Sequence, residues 1–327
     1  MTPGVRAALK RALRLAGACL AAAAGIAQPV GDPPAPGMLV DIGGRRLHLS
    51  CTGNGPGTVI VENGGGAFSF DWALVQPEVA KFTRICTYDR AGYAWSDPGP
   101  APDMVGQIVD DLHLLLRTAR LRPPYVLVGA SIGGFYARAF QRRYPDEVSG
   151  MVMVDSTTEE SSAWIVDGKP KVTYSVSREE MNALMKKYLE SAGSSSQSTP
   201  AALEVPFNRL PKEAQALRDW AAAKYASPAD RRLQTPAASE ATREEFIAQR
   251  ALRLSSEHPL GRLPLVVLIR GRGIDEAVKR RGEELARLSS IGRLIVADNS
   301  GHEIHLWRPD LAIQAIRDVT ELSVKKR

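Results

Sequence analysis

The chain has 327 residues, of which 44% are hydrophobic and 24% are charged. This composition is that of an ordinary globular protein, and it excludes a wholly disordered chain, a collagen and a miniature disulfide scaffold. No uncharged apolar run reaches about 18 residues, so a protein with several membrane-spanning helices is excluded as well. Four units of the net charge of +6 come from residues 1–27, so we expect no basic surface for nucleic acid.

The N-terminus has the pattern of a secretory signal peptide. Basic residues precede an apolar run from Leu15 to Ala24, and the small residues up to Ala27 offer a cleavage site. We therefore expect residues 1–27 to be removed on export to the periplasm or the extracellular space, which would leave no stable membrane span. An uncleaved amphipathic helix is the alternative. Residues 28–37 contain four prolines and form a predicted linker.

Short apolar strands alternate with amphipathic helices over residues 38–155 and 261–322. This alternation predicts an α/β fold, with a mostly parallel sheet and helices on both faces. The predicted strands are Met38–Ile42, Arg46–Ser50, Thr58–Glu62, Ile85–Tyr88, Tyr125–Val128, Val148–Val154, Leu265–Ile269 and Arg293–Ala297. The predicted helices of this core are Val105–Thr118, Phe135–Tyr144, Glu276–Ser289 and Asp310–Thr320.

Residues 156–260 interrupt the alternation with helical signals and few strand signals. Ser177 and Glu180 form a predicted capping box at a helix start, and Thr242 and Glu245 form another. We therefore predict a helical cap, or lid, inserted between two strands of one sheet. Its larger apolar side chains either line an acyl pocket or form the core of the insertion itself. They are Trp164, Met181, Met185, Tyr188, Phe207 and Trp220.

A glycine-rich turn joins a predicted strand to a predicted helix. Residues 129–133 read Gly-Ala-Ser-Ile-Gly, which is the G-x-S-x-G pattern in its strand-turn-helix context. Such a tight turn leaves no room for side chains at its flanks and lifts the hydroxyl of Ser131 above the sheet edge. Ser131 is therefore the predicted nucleophile. The alternative is a turn whose serine caps the helix.

A serine nucleophile needs a base, and the chain contains five histidines. His302 follows the last predicted strand and precedes the last predicted helix, which places it at the same sheet edge as Ser131. His305 is the competitor, but we expect it to pack where the helix begins. His302 is therefore the predicted base.

Two aspartates are candidates for the acid that orients the imidazole. Asp155 ends the strand Val148–Val154, and Asp275 follows the strand Leu265–Ile269 after a short loop. Both positions lie at the predicted catalytic edge of the sheet. The non-catalytic alternatives are a strand-end turn residue for Asp155 and a helix N-cap for Asp275. The residues alone leave this choice open.

Backbone N–H groups for an oxyanion hole are expected from two places. Asn63 and three glycines follow the strand Thr58–Glu62, and glycines allow the backbone to approach a substrate closely. The N–H groups of Gly65 and Ile132 are the candidates. A flexible glycine turn is the alternative.

These segments together resemble the α/β-hydrolase family over most of residues 38–155 and 262–320. Asn63-Gly64 stands where the family usually has His-Gly, and Ala94 replaces the second glycine of its D-R-x-G-x-G-x-S segment. The order serine, acid, histidine also agrees. The matching segments are Asn63-Gly64, Trp72, Asp89 to Ser96, Val128 to Gly134, and Ser300-Gly301-His302 followed by Pro309.

The resemblance implies several further expectations. It makes Asp89, Arg90 and Ser96 structural residues near the site. In most members of the family the acid follows the strand after the insertion, which is where Asp275 stands, although Asp275 lies one residue later than the usual spacing. In some members the acid stands at the end of the strand before the insertion, which is the position of Asp155. The family's strand order also places its second and fourth strands side by side, which implies a disulfide between Cys51 and Cys86.

The predicted function is that of an exported serine hydrolase that cleaves a carboxylic ester, or a related acyl bond, of a small-molecule substrate. The chemistry needs no cofactor and no metal, and no nucleic-acid partner is expected. Two alternatives stay open. One is a binding protein that keeps the fold without catalysis, and the other is cofactor-free lyase or peroxidase chemistry with the same triad.

Overall fold

The computed structural model describes residues 31–100, 105–166, 169–192, 205–225 and 236–325. The predicted signal peptide and the first residues of the predicted linker lie outside these ranges. Within them, no helix has the length and apolar character needed to cross a membrane.

An eight-stranded sheet forms the centre of the core, in the order β1-β2-β4-β3-β5-β6-β9-β10. β1 pairs with β2 and β2 with β4 in antiparallel fashion, and every other neighbouring pair is parallel. The predicted fold class is therefore confirmed. The strands are β1 (Met38–Asp41), β2 (Arg46–Thr52), β3 (Thr58–Glu62), β4 (Arg84–Tyr88), β5 (Tyr125–Ala130), β6 (Val148–Val154), β9 (Leu265–Arg270) and β10 (Arg293–Ala297).

Helices cover both faces of the sheet because successive strand residues point to opposite sides. Val59 and Val61 pack into one hydrophobic cluster with the last helix, whereas Ile60 between them belongs to the cluster on the other face. The core helices are α1 (Gln76–Val79), α2 (Val105–Thr118), α3 (Ile132–Arg143), α7 (Glu276–Ala286), α8 (Ile304–Trp307) and α9 (Pro309–Val324).

The insertion contains a small sheet as well as helices. The sequence predicted a helical insertion with few strand signals, and the structure differs at its start, where β7 and β8 pair antiparallel. The residues between them are Asp167-Gly168, a pair typical of hairpin turns that the helical prediction overlooked. The described elements are β7 (Ser162–Val166), β8 (Lys169–Val172), α4 (Arg178–Ala192), α5 (Lys212–Tyr225) and α6 (Pro236–Ser255).

Only one of the two predicted capping boxes forms. The Ser177 Oγ accepts from the Glu180 N–H at 3.1 Å, and the Glu180 carboxylate accepts from the Ser177 N–H at 2.8 Å. The second prediction was wrong, because α6 begins at Pro236 and so contains both Thr242 and Glu245.

Cys51 and Cys86 face each other on the antiparallel strands β2 and β4 and form a disulfide. This is the pairing that the family resemblance implies. The bridge closes a loop with a sequence separation of 35 residues.

Removing the disulfide is expected to destabilise the protein. Loop-closure entropy for a loop of this size gives a loss of about 4 kcal/mol in the free energy of unfolding when both cysteines are replaced by alanine. Urea denaturation of the oxidised wild type and the double variant measures this difference. Reductant should destabilise the wild type and leave the double variant unchanged; equal stability of the two oxidised proteins would contradict the expectation.

Candidate active site

Ser131 lies in the tight turn between β5 and α3. Its backbone has φ 53° and ψ −126°, a conformation that L-residues rarely adopt. A Cβ on Gly129 would overlap the backbone of Gly134, and one on Gly133 would overlap the backbone of Glu62 and Asn63. Packing therefore requires glycines on both sides of the serine.

Backbone hydrogen bonds anchor this turn to the neighbouring strand. The Ser131 N–H donates to the Val154 carbonyl at 3.0 Å, and the Thr157 N–H donates to the Ser131 carbonyl at 2.9 Å. The strained serine is thus held by the ends of two adjacent strands. Ser131 itself is half-buried at the carboxyl edge of the sheet.

The structure brings Asp155 and His302 together at this edge. The Asp155 Oδ2 lies 2.6 Å from the His302 Nδ1. The carboxylate is 4% exposed, whereas the imidazole is 43% exposed. Since Asp155 directly follows β6 and His302 lies in the loop after β10, the parallel strands deliver both groups to the edge that carries Ser131.

Asp275 is not brought to His302. Its side chain is exposed and accepts the Val278 N–H at 2.7 Å, which makes it the N-cap of α7. This backbone hydrogen bond, helped by Arg281, holds the pKa of Asp275 below its usual value. Of the two candidate acids, Asp155 alone contacts the imidazole.

Arg270 is a partner of Asp155 that the sequence analysis missed. Its backbone N–H donates to the Asp155 Oδ1 at 3.1 Å, and its Nη1 donates to the Oδ2 at 2.6 Å. The sequence did contain a signal for it, because Arg270 is a charged residue that ends the apolar strand β9 at the sheet edge that carries Ser131.

The contacts of Asp155 affect the pKa values of both Asp155 and His302. Burial would raise the pKa of Asp155, but the hydrogen bonds from His302 and Arg270 outweigh it and hold the pKa below its usual value. The hydrogen bond to Asp155 in turn raises the pKa of His302, against the opposing effects of burial and of Arg270. An ionised carboxylate therefore stabilises the protonated imidazole.

Ser131 and His302 line one cavity of about 60 Å³, which we call the serine cavity. Phe207 and Arg218 of the insertion also line it. Arg218 donates to the buried carboxylate of Asp71 at 2.5 Å and stacks over the Phe207 ring at 3.6 Å. The sequence carried no signal for Arg218, because its position depends on how α5 packs over the core.

Arg90 fixes the glycine loop that borders the serine cavity. Its guanidinium donates to the carbonyls of Asn63 and Gly64, each at 2.6 Å, and to the Glu62 carboxylate at 2.8 Å. In a trans peptide the N–H points away from the carbonyl of the preceding residue. The Gly65 N–H therefore points away from Arg90.

The segment that begins at Asp89 ties neighbouring loops together. The Asp89 carboxylate accepts from the Ser69 N–H at 2.8 Å and lies 2.7 Å from the His48 Nδ1. The Ser96 hydroxyl donates to the Asp89 carbonyl at 2.5 Å and accepts the His48 N–H at 2.9 Å. These buried contacts have the loop-tying character that the resemblance implies.

The chain is similar to known proteins in sequence. Residues 59–315 match the alpha/beta hydrolase family. The chain belongs to that family. An uncharacterised protein of Schizosaccharomyces pombe is 35% identical over 154 residues, which are 37% of this chain and 28% of that protein. A probable transporter of Hormonema carpetanum is 25% identical over 312 residues, or 88% of this chain and 43% of that protein. The chain thus spans less than half the length of either relative.

Solved structures share the fold of this chain. An esterase from Thermogutta terrifontis superposes with a TM-score of 0.60 at 20% identity, covering 85% of this chain and 94% of that one. A laboratory-evolved potato epoxide hydrolase superposes with a TM-score of 0.59 at 16% identity, covering 87% and 98%. Since an esterase and an epoxide hydrolase share this fold, the fold alone does not fix the reaction, which depends on the side chains at the site.

His305, the competing histidine, is buried beside the site. Its ring stacks on Trp72 with centroids 4.6 Å apart. Burial lowers the pKa of His305 to about 3, with His302 and Arg218 adding to the effect. Its ring therefore stays neutral at pH 7, and it packs at the start of α8 as expected.

The insertion's apolar residues divide between the cavity and the insertion's own packing. Phe207 lines the serine cavity, Met181 is buried with Val166 and Val176, and Trp220 packs on Trp95 at 5.1 Å. The side chains of Trp164, Met185 and Tyr188 lie outside the described part of the structure.

Proposed function

We propose that this protein is a serine hydrolase that cleaves carboxylic esters of small molecules through an acyl-enzyme. The observation that carries the proposal is the hydrogen bond between Asp155 and His302, formed at the edge where Ser131 is held in a strained turn. Ser131 and His302 also border the same cavity. A nucleophile, a base and an acid that orients the base are the three parts that this chemistry requires.

In the proposed reaction the Ser131 Oγ attacks the acyl carbon and the His302 Nε2 takes its proton. His302 then passes this proton to the leaving alcohol as the ester bond breaks. A water molecule, deprotonated by His302, attacks the acyl-enzyme and releases the carboxylic acid together with free Ser131. Asp155 stays ionised throughout and stabilises the imidazolium that forms in both halves.

The N–H groups of Gly65 and Ile132 are the proposed oxyanion donors. A Cβ on Gly65 would lie 3.8 Å from the Ile132 side chain, so the two backbone segments are neighbours. Ile132 begins α3, where the N–H groups have no partner within the helix. Arg90 holds the Gly64 carbonyl on the opposite side of the peptide from the Gly65 N–H. One such donor is worth about 3 kcal/mol in the transition state.

A substrate panel tests the reaction class. It compares p-nitrophenyl esters of increasing acyl length with the matching anilides and with a simple aryl epoxide. We expect ester turnover with a preference for short acyl chains, because the serine cavity has a volume of only about 60 Å³. Epoxide opening without ester cleavage would refute the proposal. Folded protein that neither turns over esters nor reacts with a fluorophosphonate would favour the binding-protein alternative.

We also propose that the mature protein works outside the cytoplasm. The signal-like segment at residues 1–27 supports this location. The Cys51–Cys86 disulfide supports it too, because disulfides persist mainly in oxidising compartments. Fractionation of cells producing the full chain, with a cytoplasmic enzyme as marker, tests the location.

The pH profile of ester cleavage should follow the titration of His302. Only the neutral imidazole can accept the serine proton, so kcat/KM should rise with pH through the His302 pKa, which lies above the usual 6.5. Removing the positive charge of Arg270 by Arg270→Gln should raise this pKa and move the rising limb to higher pH. Initial rates across the pH range measure both profiles. A limb that moves to lower pH in the variant would contradict this account.

A further inference from the structure

A second and larger cavity lies next to the triad. It has a volume of about 300 Å³, and we call it the arginine cavity because Arg270 and Arg281 line it. His302 lines both this cavity and the serine cavity, so both adjoin that residue. Its volume is at the lower end of the range typical of small-molecule sites.

The arginine cavity is rich in hydrogen-bond donors. Four hydroxyl-bearing residues from the loop after β6 line it, and these are Ser156, Thr157, Thr158 and Ser161. The Ser156 hydroxyl donates to the Thr157 carbonyl, and the Thr158 and Ser161 hydroxyls are hydrogen-bonded to each other. Hydroxyls and guanidinium groups are the donors that bind carboxylates and phosphates in proteins. The apolar part of the lining consists of Ile269, Val278 and Leu285.

The guanidinium groups have donors left over. Arg270 uses Nη1 on Asp155, and its Nε and Nη2 form no hydrogen bond with any described residue. Arg281 is half-buried on α7, and within the described residues it forms neither a hydrogen bond nor an ion pair. Two arginines thus present several unused N–H groups to one cavity.

The charges of the arginine cavity do not balance. Asp155 is the carboxylate among the described lining residues, and its oxygens are taken by His302 and Arg270. Asp275 lies close enough to Arg281 to be influenced by its charge, but its Oδ1 caps α7 and the residue is outside the cavity lining. Within the described residues, the charge nearest to Arg281 is thus the Asp275 carboxylate outside the cavity lining, with which Arg281 forms no hydrogen bond or ion pair.

We propose that the arginine cavity binds a small oxyanion, either a carboxylate or a phosphate group, between Arg270 and Arg281. The anion satisfies the unused guanidinium donors of the two arginines. The same chemistry fits two sources. One is a free anion in solution, and the other is a carboxylate carried by the substrate, whose ester then lies beside His302.

Anion binding is tested first without any reaction. Thermal unfolding is followed in inorganic phosphate and in sodium chloride of equal ionic strength. Phosphate at about ten times its dissociation constant should raise the melting temperature of the wild type by roughly 3 °C. Arg281→Gln should abolish this shift, whereas Arg281→Lys should keep part of it. Arg280→Gln is the matched control, because Arg280 is the exposed neighbour on the same helix.

The second arm distinguishes the sources and rests on the proposed function. It compares a p-nitrophenyl ester that ends in a carboxylate with its neutral isostere. If the substrate supplies the anion, Arg281→Gln should lower kcat/KM for the charged ester by roughly 10- to 100-fold and leave the neutral ester unchanged. If a free anion is the ligand, the rise in melting temperature with phosphate depends on Arg281. The Arg281→Gln variant then changes kcat/KM for the charged ester and for the neutral ester to the same extent.

The proposal is supported when Arg281→Gln loses either the phosphate-induced rise in melting temperature or the preference for the charged ester. The control variant Arg280→Gln should behave as the wild type in both measurements. The proposal is overturned when Arg281→Gln alters neither the phosphate shift nor the choice between esters. If the protein hydrolyses none of the esters, the proposed function is refuted but the anion site is not. The effect of phosphate on thermal unfolding then tests the anion site independently.

Discussion

Replacing Ser131 by alanine is expected to reduce ester turnover by roughly 10⁴- to 10⁶-fold, the effect seen when a triad nucleophile is removed. The backbone of the turn is held by Val154 and Thr157 and not by the serine hydroxyl. The variant should therefore fold normally. Turnover of p-nitrophenyl esters under substrate saturation, together with circular dichroism, measures both expectations.

Two further variants make this result specific. Ser149→Ala removes a hydroxyl from the other end of the neighbouring strand β6 and should leave turnover unchanged. Ser131→Gly should be as inactive as the alanine variant. It should also raise the free energy of unfolding by about 1 kcal/mol, because glycine relieves the strain at φ 53°. Ester turnover that survives in Ser131→Ala would show that another group is the nucleophile.

Replacing Asp155 by asparagine is expected to lower kcat by about 10⁴-fold, because the amide favours the wrong tautomer of the imidazole and cannot stabilise its charge. The corresponding change at the rival acid, Asp275→Asn, should leave kcat and stability nearly unchanged, since asparagine caps a helix as well as aspartate does. The two variants make the same chemical change at the two positions that the sequence left open. Steady-state kinetics with one ester measures both.

Stability measurements complete this comparison. Asp275→Ala should lose about 1 kcal/mol in the free energy of unfolding, through its lost hydrogen bond to the Val278 N–H, and keep its activity. A large loss of kcat in Asp275→Asn with an active Asp155→Asn would reverse the assignment and contradict the hydrogen bond to His302.

The core was predictable because its strands and helices have clear hydrophobic periodicities and are separated by glycine-containing turns. The predicted strands Thr58–Glu62, Val148–Val154 and Arg293–Ala297 have the observed bounds. The G-x-S-x-G pattern placed Ser131 correctly between a strand and a helix, since side chains at Gly129 and Gly133 would overlap backbone. Such local steric requirements are written directly in the sequence.

The choice of acid was not predictable in this way. Asp155 and Asp275 both follow strands of the sheet, and only the three-dimensional course of the loops decides which one reaches His302. Arg270, at the end of the neighbouring strand β9, helps to position Asp155 through two hydrogen bonds to its carboxylate. These residues are far apart in the chain, so the sequence pattern does not reveal the contact. The insertion is harder still, because the position of Arg218 depends on helix packing that periodicity does not encode.

The formation of an acyl-enzyme on Ser131 is the claim on which the account depends most. Acid quenching of the protein during turnover of p-nitrophenyl acetate, followed by peptide mass spectrometry, measures it directly. We predict one acetyl group on the peptide that contains Ser131 in the wild type. The Ser131→Ala variant should carry no acetyl group on this peptide. Ester turnover with no acyl group on that peptide, or with the group on another residue, would contradict the account.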